Sequence, residues 1–515
     1  MAKTFEQKIN RFDGGISDSS RDPAVGGAAM VKHFDIFSDP RKLTPHRSTE
    51  NDMHDGTTST GMKTYDVRHF TLGSNGNLYG LGKNASGYPK VVSKTAANLL
   101  TGNWTLNATA EGNAARILGC FIEWQSAFWF FQGTNQLAKW TIGSTVTNSV
   151  ATVGSTITTV AHGIVGSDNN LYLFYNNKVV RVSPAGAVTD DVFALPSDMR
   201  IVSAARYGTY IAIGLAYGTG ATQSPSGRSL VILWDMSSTT VPSDVVDWGE
   251  GELVILGNVE GRLVGITNKY LETAAGQSSL AVGGGSMVVK MWAGGIPQVV
   301  KEVVANQSVT QGRMLRDVVI KGNRLYWIAS VPMNQSTSTE STYHLGIWVF
   351  GRKNVNSNFT IALDTIDENV DSSNFYINSF GSAGNYFFIN HSADFSITRT
   401  NDAATYSFSS IYESQIFNGG DSSVLKKLIG ITVNTAPLPT AGQIVAKYRK
   451  DEDSSYTTIF THTTDNSLAH SSVNIESTGA TLPTFRELQI RIESSGGAEV
   501  VGFSFKYEEV ETRMY

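Results

Sequence analysis

A short turn followed by an aromatic strand recurs along this chain, and it constrains the fold more than any other feature. The clearest copy is Lys321-Gly322-Asn323-Arg324-Leu325-Tyr326-Trp327-Ile328. Asn75-Gly76-Asn77-Leu78-Tyr79, Asp168-Asn169-Asn170-Leu171-Tyr172 and Glu260-Gly261-Arg262-Leu263-Val264 repeat it, and Ala383-Gly384-Asn385-Tyr386-Phe387 is a looser version. Gly and Asn accept the positive φ that tight hairpin turns require, and the apolar residues that follow suit a half-buried strand.

Around these turns the sequence divides into repeated units of a small-residue apolar strand, a turn, an aromatic strand and a strand of alternating polarity. The leading strands are read at Thr71-Leu72, Ile117-Leu118, Val160-Ala161, Ile201-Val202, Leu253-Val254, Asp317-Val318 and Tyr376-Ile377. One unit follows the next at roughly 40–60 residues, the period of a four-stranded propeller blade swollen by insertions. A solenoid would demand shorter, stricter repeats and capping ends. The expected architecture is all-β: a β-propeller of about seven blades over 61–420, with an extended N-terminal arm and a C-terminal β-sandwich.

The flanks read differently. Residues 1–60 carry scattered apolar points, Phe12, Ile16, Val31, Phe34, Ile36, Phe37 and Leu43, between Gly, Asp, Ser and Pro clusters. Such a segment cannot bury a core alone and is expected to lie as an arm on the rest of the protein or on a neighbouring subunit. The run 55–61 is its linker, and removing 1–55 is expected to leave the propeller folded. Residues 421–515 hold period-two runs such as Gln443-Ile444-Val445-Ala446 and Leu488-Gln489-Ile490-Arg491-Ile492, with turn-forming separators, the size of a small antiparallel sandwich.

Charge narrows the partners. The net charge is −5, with pI near 6.0, so the basic footprint of a general nucleic-acid binder is missing. The single cysteine, Cys120, sits in an apolar run and reads as a small buried hydrophobe. The start lacks an apolar signal segment and no window is long enough to span a membrane, so the chain is expected to be made and folded in a cytoplasm.

Residues with chemical potential do not assemble into a motif. None of the nine histidines has metal-ligand spacing, and no nucleophile elbow, P-loop or dinucleotide fingerprint is present. Gly80-Leu81-Gly82 and Gly283-Gly284-Gly285 are not followed by a helix, so they do not read as phosphate loops. Asp451-Glu452-Asp453 reads as a solvated hairpin tip, and Asp168-Asn169-Asn170 as a β-turn rather than a calcium loop. Asp66, Asp244, Asp247, Glu250 and Asp317 are the acids that a propeller glycosidase would place around its axis as an acid and base pair. Trp104, Trp140, Trp248 and Trp348 are the candidate platforms for a sugar ring, with core packing as the plainer role. No catalytic, cofactor-binding or metal-ligating residue is assigned.

The arm motif Arg11-Phe12-Asp13-Gly14-Gly15-Ile16-Ser17-Asp18 with Lys32-His33-Phe34-Asp35-Ile36-Phe37, and the terminal run Phe485 to Ser495 with Gly502-Phe503-Ser504-Phe505-Lys506-Tyr507, resemble the two ends of propeller-type virion proteins of tailed bacteriophages. The resemblance implies a non-enzymatic structural component of the virion, specifically a tail nozzle protein that forms part of the tail assembly and the DNA ejection conduit. It implies a homo-oligomeric ring, contact with other tail, adaptor or portal proteins, passive contact with genomic DNA, and location in the virion tail. Under it, Phe12, Ile16, Phe34, Ile36, Phe37 and Leu43 are the residues of an assembly arm. A glycan-binding receptor-recognition or decoration spike is the alternative, and a propeller glycosidase a further one.

Overall fold

A computed structural model describes residues 4–12, 14–16, 27–52, 66–83, 88–101, 104–108, 117–193, 195–217, 228–270, 285–304, 313–332, 343–366, 377–391, 397–407, 409–451, 453–464, 470–474 and 483–510. The linker at 55–61 and most of the long inserts at 217–228 and 333–343 lie outside them. Strands dominate, and the one helical turn among the described residues is the 3-10 turn Ala96–Asn98. The chain forms two compact units, residues 50–332 with 369–400, and residues 1–49 with 333–368 and 401–515. This division is discontinuous in sequence and differs from boundaries at 60 and 420.

The first unit is a β-propeller. Five successive four-stranded antiparallel sheets begin at the inner strands Asp66–Leu72, Ile117–Trp124, Val160–Val165, Met199–Tyr207 and Glu252–Val259. Blade 6 opens with Arg313–Lys321 and Arg324–Pro332, and blade 7 with Ile377–Ala383, Tyr386–His391 and Ile397–Thr400. The seven inner strands neighbour one another in cyclic order and close from blade 7 back to blade 1. The recurring turns join the first and second strands of blades 1, 3, 5, 6 and 7. At their tips Gly76, Asn169, Glu260, Asn323 and Gly384 have φ between 51° and 78°, the left-handed conformation that a tight turn between right-twisted strands demands. Blades 2 and 4 turn instead through Gln125-Ser126 and Gly208, also at positive φ.

Every inner strand also slips its register against the second strand, near Val67, Gly119, Ala161, Ile201, Leu253, Met314 and Ile377. Such bulges add twist and re-aim side chains. Polar residues after them reach the next blade: Leu256 N donates to Ser203 Oγ at 3.0 Å, Phe380 N to Asp317 Oδ2 at 3.0 Å, and Ser379 Oγ to the Val67 carbonyl at 3.0 Å. The apolar interior lies between blades. One cluster joins Tyr172 and Phe174 to Ile201, Ile213 and Trp234.

The ring is closed by the arm. Thr49–Asn51 adds the fourth strand to blade 7, beside Ile397–Thr400, and Asp52 N donates to the Ile397 carbonyl at 2.8 Å. The Asp52 side chain is buried with Lys94 of blade 1, which forms an ion pair with it. Trp104 Nε1 donates to Asp52 Oδ2 at 2.7 Å and Arg399 Nε to Oδ1 at 3.0 Å. The expectation that residues 1–55 are dispensable for the propeller is therefore corrected: four of them complete a blade and clasp it to its neighbour.

The second unit is a sandwich into which the arm is woven. In one sheet Val500–Glu509 lies between Thr4–Ile9 and Lys426–Thr435, with His470–Asn474 beyond. In the other, Gly27–Lys32 pairs Ser410–Ser414, followed by Leu488–Ser495, Gln443–Lys450 and Thr457–His462. Tyr412 links the faces, with ring contacts to Phe12 at 5.2 Å and Phe503 at 5.8 Å.

Candidate functional site

The propeller axis gathers groups far apart in sequence. His69 stands on the inner strand of blade 1, Cys120 on that of blade 2, His162 on blade 3 and Asp317 on blade 6. Asp317 Oδ1 lies 3.5 Å from His162 Nε2 and 3.8 Å from His69 Nδ1, while its Oδ2 accepts the Phe380 amide. Burial pushes the Asp317 carboxyl up to about 6, against the opposing pull of His162 and the Phe380 amide. Burial, with the neighbouring His162 and Arg68, pushes His69 down to about 3. Near neutral pH the arrangement is a carboxylate facing a neutral His69.

Gly119 makes this approach possible. Its φ is 101°, and a Cβ there would meet His69 Nε2 at 2.6 Å. Cys120 follows at φ 58°, an uncommon left-handed conformation for a residue with a side chain. Its buried thiol is pushed up to about 12 by desolvation, so it stays protonated and behaves as the small hydrophobe the sequence predicts.

Beside this cluster a cavity of about 550 Å³ runs along the inner strands of blades 3 to 6. Ile164, Leu256, Val318 and Ile320 give it apolar walls, His162 lines it next to Asp317, and Arg206 stands at the turn end. The first turns of the blades share one face. Ser74 N and Oγ donate to Glu123, Ser167 Oγ to the Thr209 carbonyl, Asn258 Nδ2 to the Arg206 carbonyl, and Lys321 Nζ to the Gly384 carbonyl.

The structure redistributes the sequence candidates. Of the acids whose side chains are described, Asp317 alone lies on an inner strand: Asp244, Asp247 and Glu250 lie on Asp244–Glu250, the outer strand of blade 4, while Asp66 begins the inner strand of blade 1 with its side chain outside the described residues. Asp317 therefore forms no acid and base pair with those three. The four tryptophans Trp104, Trp140, Trp248 and Trp348 are buried, the core packing that was the plainer of their two readings, and they offer no exposed platform for a sugar. Burying an indole removes roughly 200 Å² of surface, worth on the order of 5 kcal/mol. Trp140, Trp234 and Trp292 lie in the last two positions of the third strands of blades 2, 4 and 5, and each indole N–H donates to a carbonyl of the next turn, at Ser144, Ser238 and Gly295.

Asp168 is engaged by the Tyr172 hydroxyl at 2.6 Å and by Asn170, which makes it a turn residue. Asp451 accepts the amides of Arg486 and Glu487 at its hairpin tip, and Glu452 lies outside the described residues. Phe12, Ile16, Phe34, Ile36, Phe37 and Leu43 are all buried within the sandwich unit of their own chain. His54 is outside the described residues; among those described, no group of three or more His, Cys, Asp or Glu side chains is placed to hold a metal ion. No helix among them is long and apolar enough to cross a membrane. The His69, His162 and Asp317 cluster was missed in the sequence because its members are about 90 and 150 residues apart, and only the cyclic order of the blades unites them.

No protein-family model matches the chain, and no curated protein matches it. Among solved structures it is similar to virginiamycin B lyase from Staphylococcus aureus, at 10% identity and a TM-score of 0.44, over 69% of this chain and 100% of that one. The WD40 domain of Neurospora crassa Pan2 is similar at 10% identity and a TM-score of 0.39, over 71% and 97%. BamB from Moraxella catarrhalis is similar at 11% identity and a TM-score of 0.36, over 65% and 82%. The likeness is one of β-propeller architecture.

Proposed function

We propose that this chain is a structural subunit of a tailed-bacteriophage virion, a nozzle-type component of the tail that forms part of the DNA ejection conduit. The observation that supports this reading is the pairing of a closed propeller with a sandwich built from both ends of the same chain. That is the organisation implied by the resemblance at residues 11–18, 32–37, 485–495 and 502–508. The arm is used inside the chain, as a blade strand and as sandwich strands, so contacts between copies fall to exposed surfaces rather than to Phe12, Phe34 or Leu43. The sugar-binding alternative loses its named tryptophan platforms to the core.

The reading predicts a defined defect when the gene is silenced during infection. Heads should form and fill with DNA, while the particles lack the distal part of the tail and do not infect. Complete, infectious particles formed without the protein would contradict it.

A further inference from the structure

The face of the propeller that carries the first turns also exposes apolar side chains where a soluble surface would bury or replace them. Leu72, Tyr210 and Ile320 flank the first turns of blades 1, 4 and 6. Ile142, Val241 and Ile296 lie in the turns between third and fourth strands of blades 2, 4 and 5. In an antiparallel four-stranded blade these two kinds of turn lie at the same end. The six residues are between 37% and 84% exposed. Exposed apolar residues occurring singly need no explanation; these six share the turn face into which the cavity opens.

The axial cavity opens within the same face, and its charge limits what enters. Its wall carries Arg206 and His162 and no carboxylate. Arg206 is exposed, and its Nε makes only a long 3.4 Å bond to the Gly208 carbonyl. The nearby carboxylate, Asp317, faces His162 on the inner side. An acidic group is therefore drawn to the mouth, beside Arg206, and not to the inner end. The apolar tips span five blades, wider than a small molecule that fills the cavity alone would cover.

We propose that this turn face is the docking site for a partner protein whose apolar surface projects an acidic side chain into the mouth of the axial cavity. The inference rests on the geometry of this face and not on the virion reading, so either can fail without the other. The apolar tips supply contact area, and Arg206 fixes orientation through a charge-assisted hydrogen bond at the centre of the contact.

The test is selection of a random dodecapeptide display library on the full chain. The enriched peptides should combine Asp or Glu with aliphatic residues. Arg206→Ala should weaken their binding about tenfold, as expected for a central anchor, and Arg206→Lys should restore part of it. The double variant Ile296→Ser with Ile320→Ser, checked for an unchanged melting curve, should weaken it comparably. Tyr217→Ser, at the opposite end of blade 4, should leave it unchanged. Three results would overturn the proposal: no enriched peptide, enrichment of basic peptides, or binding that survives both Arg206→Ala and the double variant. Binding of the chain to phosphatidylglycerol vesicles that the double variant abolishes would assign the face to a membrane instead.

Discussion

At Asp317 the backbone does what the side chain alone would resist. A carboxyl group taken out of water is raised to about 6, yet it keeps one amide donor and two imidazoles within 4 Å. The consequence for stability has a definite sign. Asp317 ionises more readily in the unfolded chain, so its contribution is fully present below about pH 4 and is lost as pH rises through about 6. His69 acts oppositely: held neutral down to about 3, it weakens the fold as pH falls below its ordinary value, because the unfolded chain takes up the proton first. Asp317→Asn keeps an acceptor for the Phe380 amide and removes the carboxyl titration. The melting temperature of the variant relative to the parent should rise from pH 4 to pH 7, with His69 common to both. A difference that is flat over that range would show that Asp317 is not desolvated.

The closing strand shows how one element decides the integrity of a ring. Asp52 lies between two buried cations, Lys94 and Arg399, and accepts the indole N–H of Trp104. Removing it leaves Lys94 buried without its carboxylate and Arg399 with Glu50 alone, at 3.7 Å, so Asp52→Ala should cost about 3–5 kcal/mol in denaturant unfolding of the propeller. Lys178→Ala breaks the partly exposed pair with Asp191 and should cost about 0–1 kcal/mol. Equal costs would mean that Asp52 is no clasp. Elements of this kind mark the boundary of what the sequence discloses. The turns at 75–79, 168–172, 260–264 and 321–328 were legible because Gly and Asn at positive φ leave a compositional trace. The turns at Gln125-Ser126 and Gly208 leave a weaker one. Thr49–Asn51 leaves none, because its strand character comes from the edge of blade 7, more than 340 residues away in sequence. The Asp317 cluster was hidden for the same reason, and Asp317 was picked out only as one acid among five.

For the whole molecule, two β units are assembled from interleaved stretches of one chain. The propeller takes a closing strand from the N-terminal arm, and the sandwich takes Thr4–Ile9 and Gly27–Lys32. With Thr4–Ile9 and Val500–Glu509 both used in pairing, the turns and outer strands are what the described residues present to their surroundings. This suits a subunit that works by contact, as the virion reading requires. The most direct measurement is a cryo-electron microscopy reconstruction of the tailed particle. A ring of copies on the tail axis, each with a seven-bladed propeller, is the result the account predicts. Particles whose tail density contains no such ring, with the protein found apart from them, would contradict it.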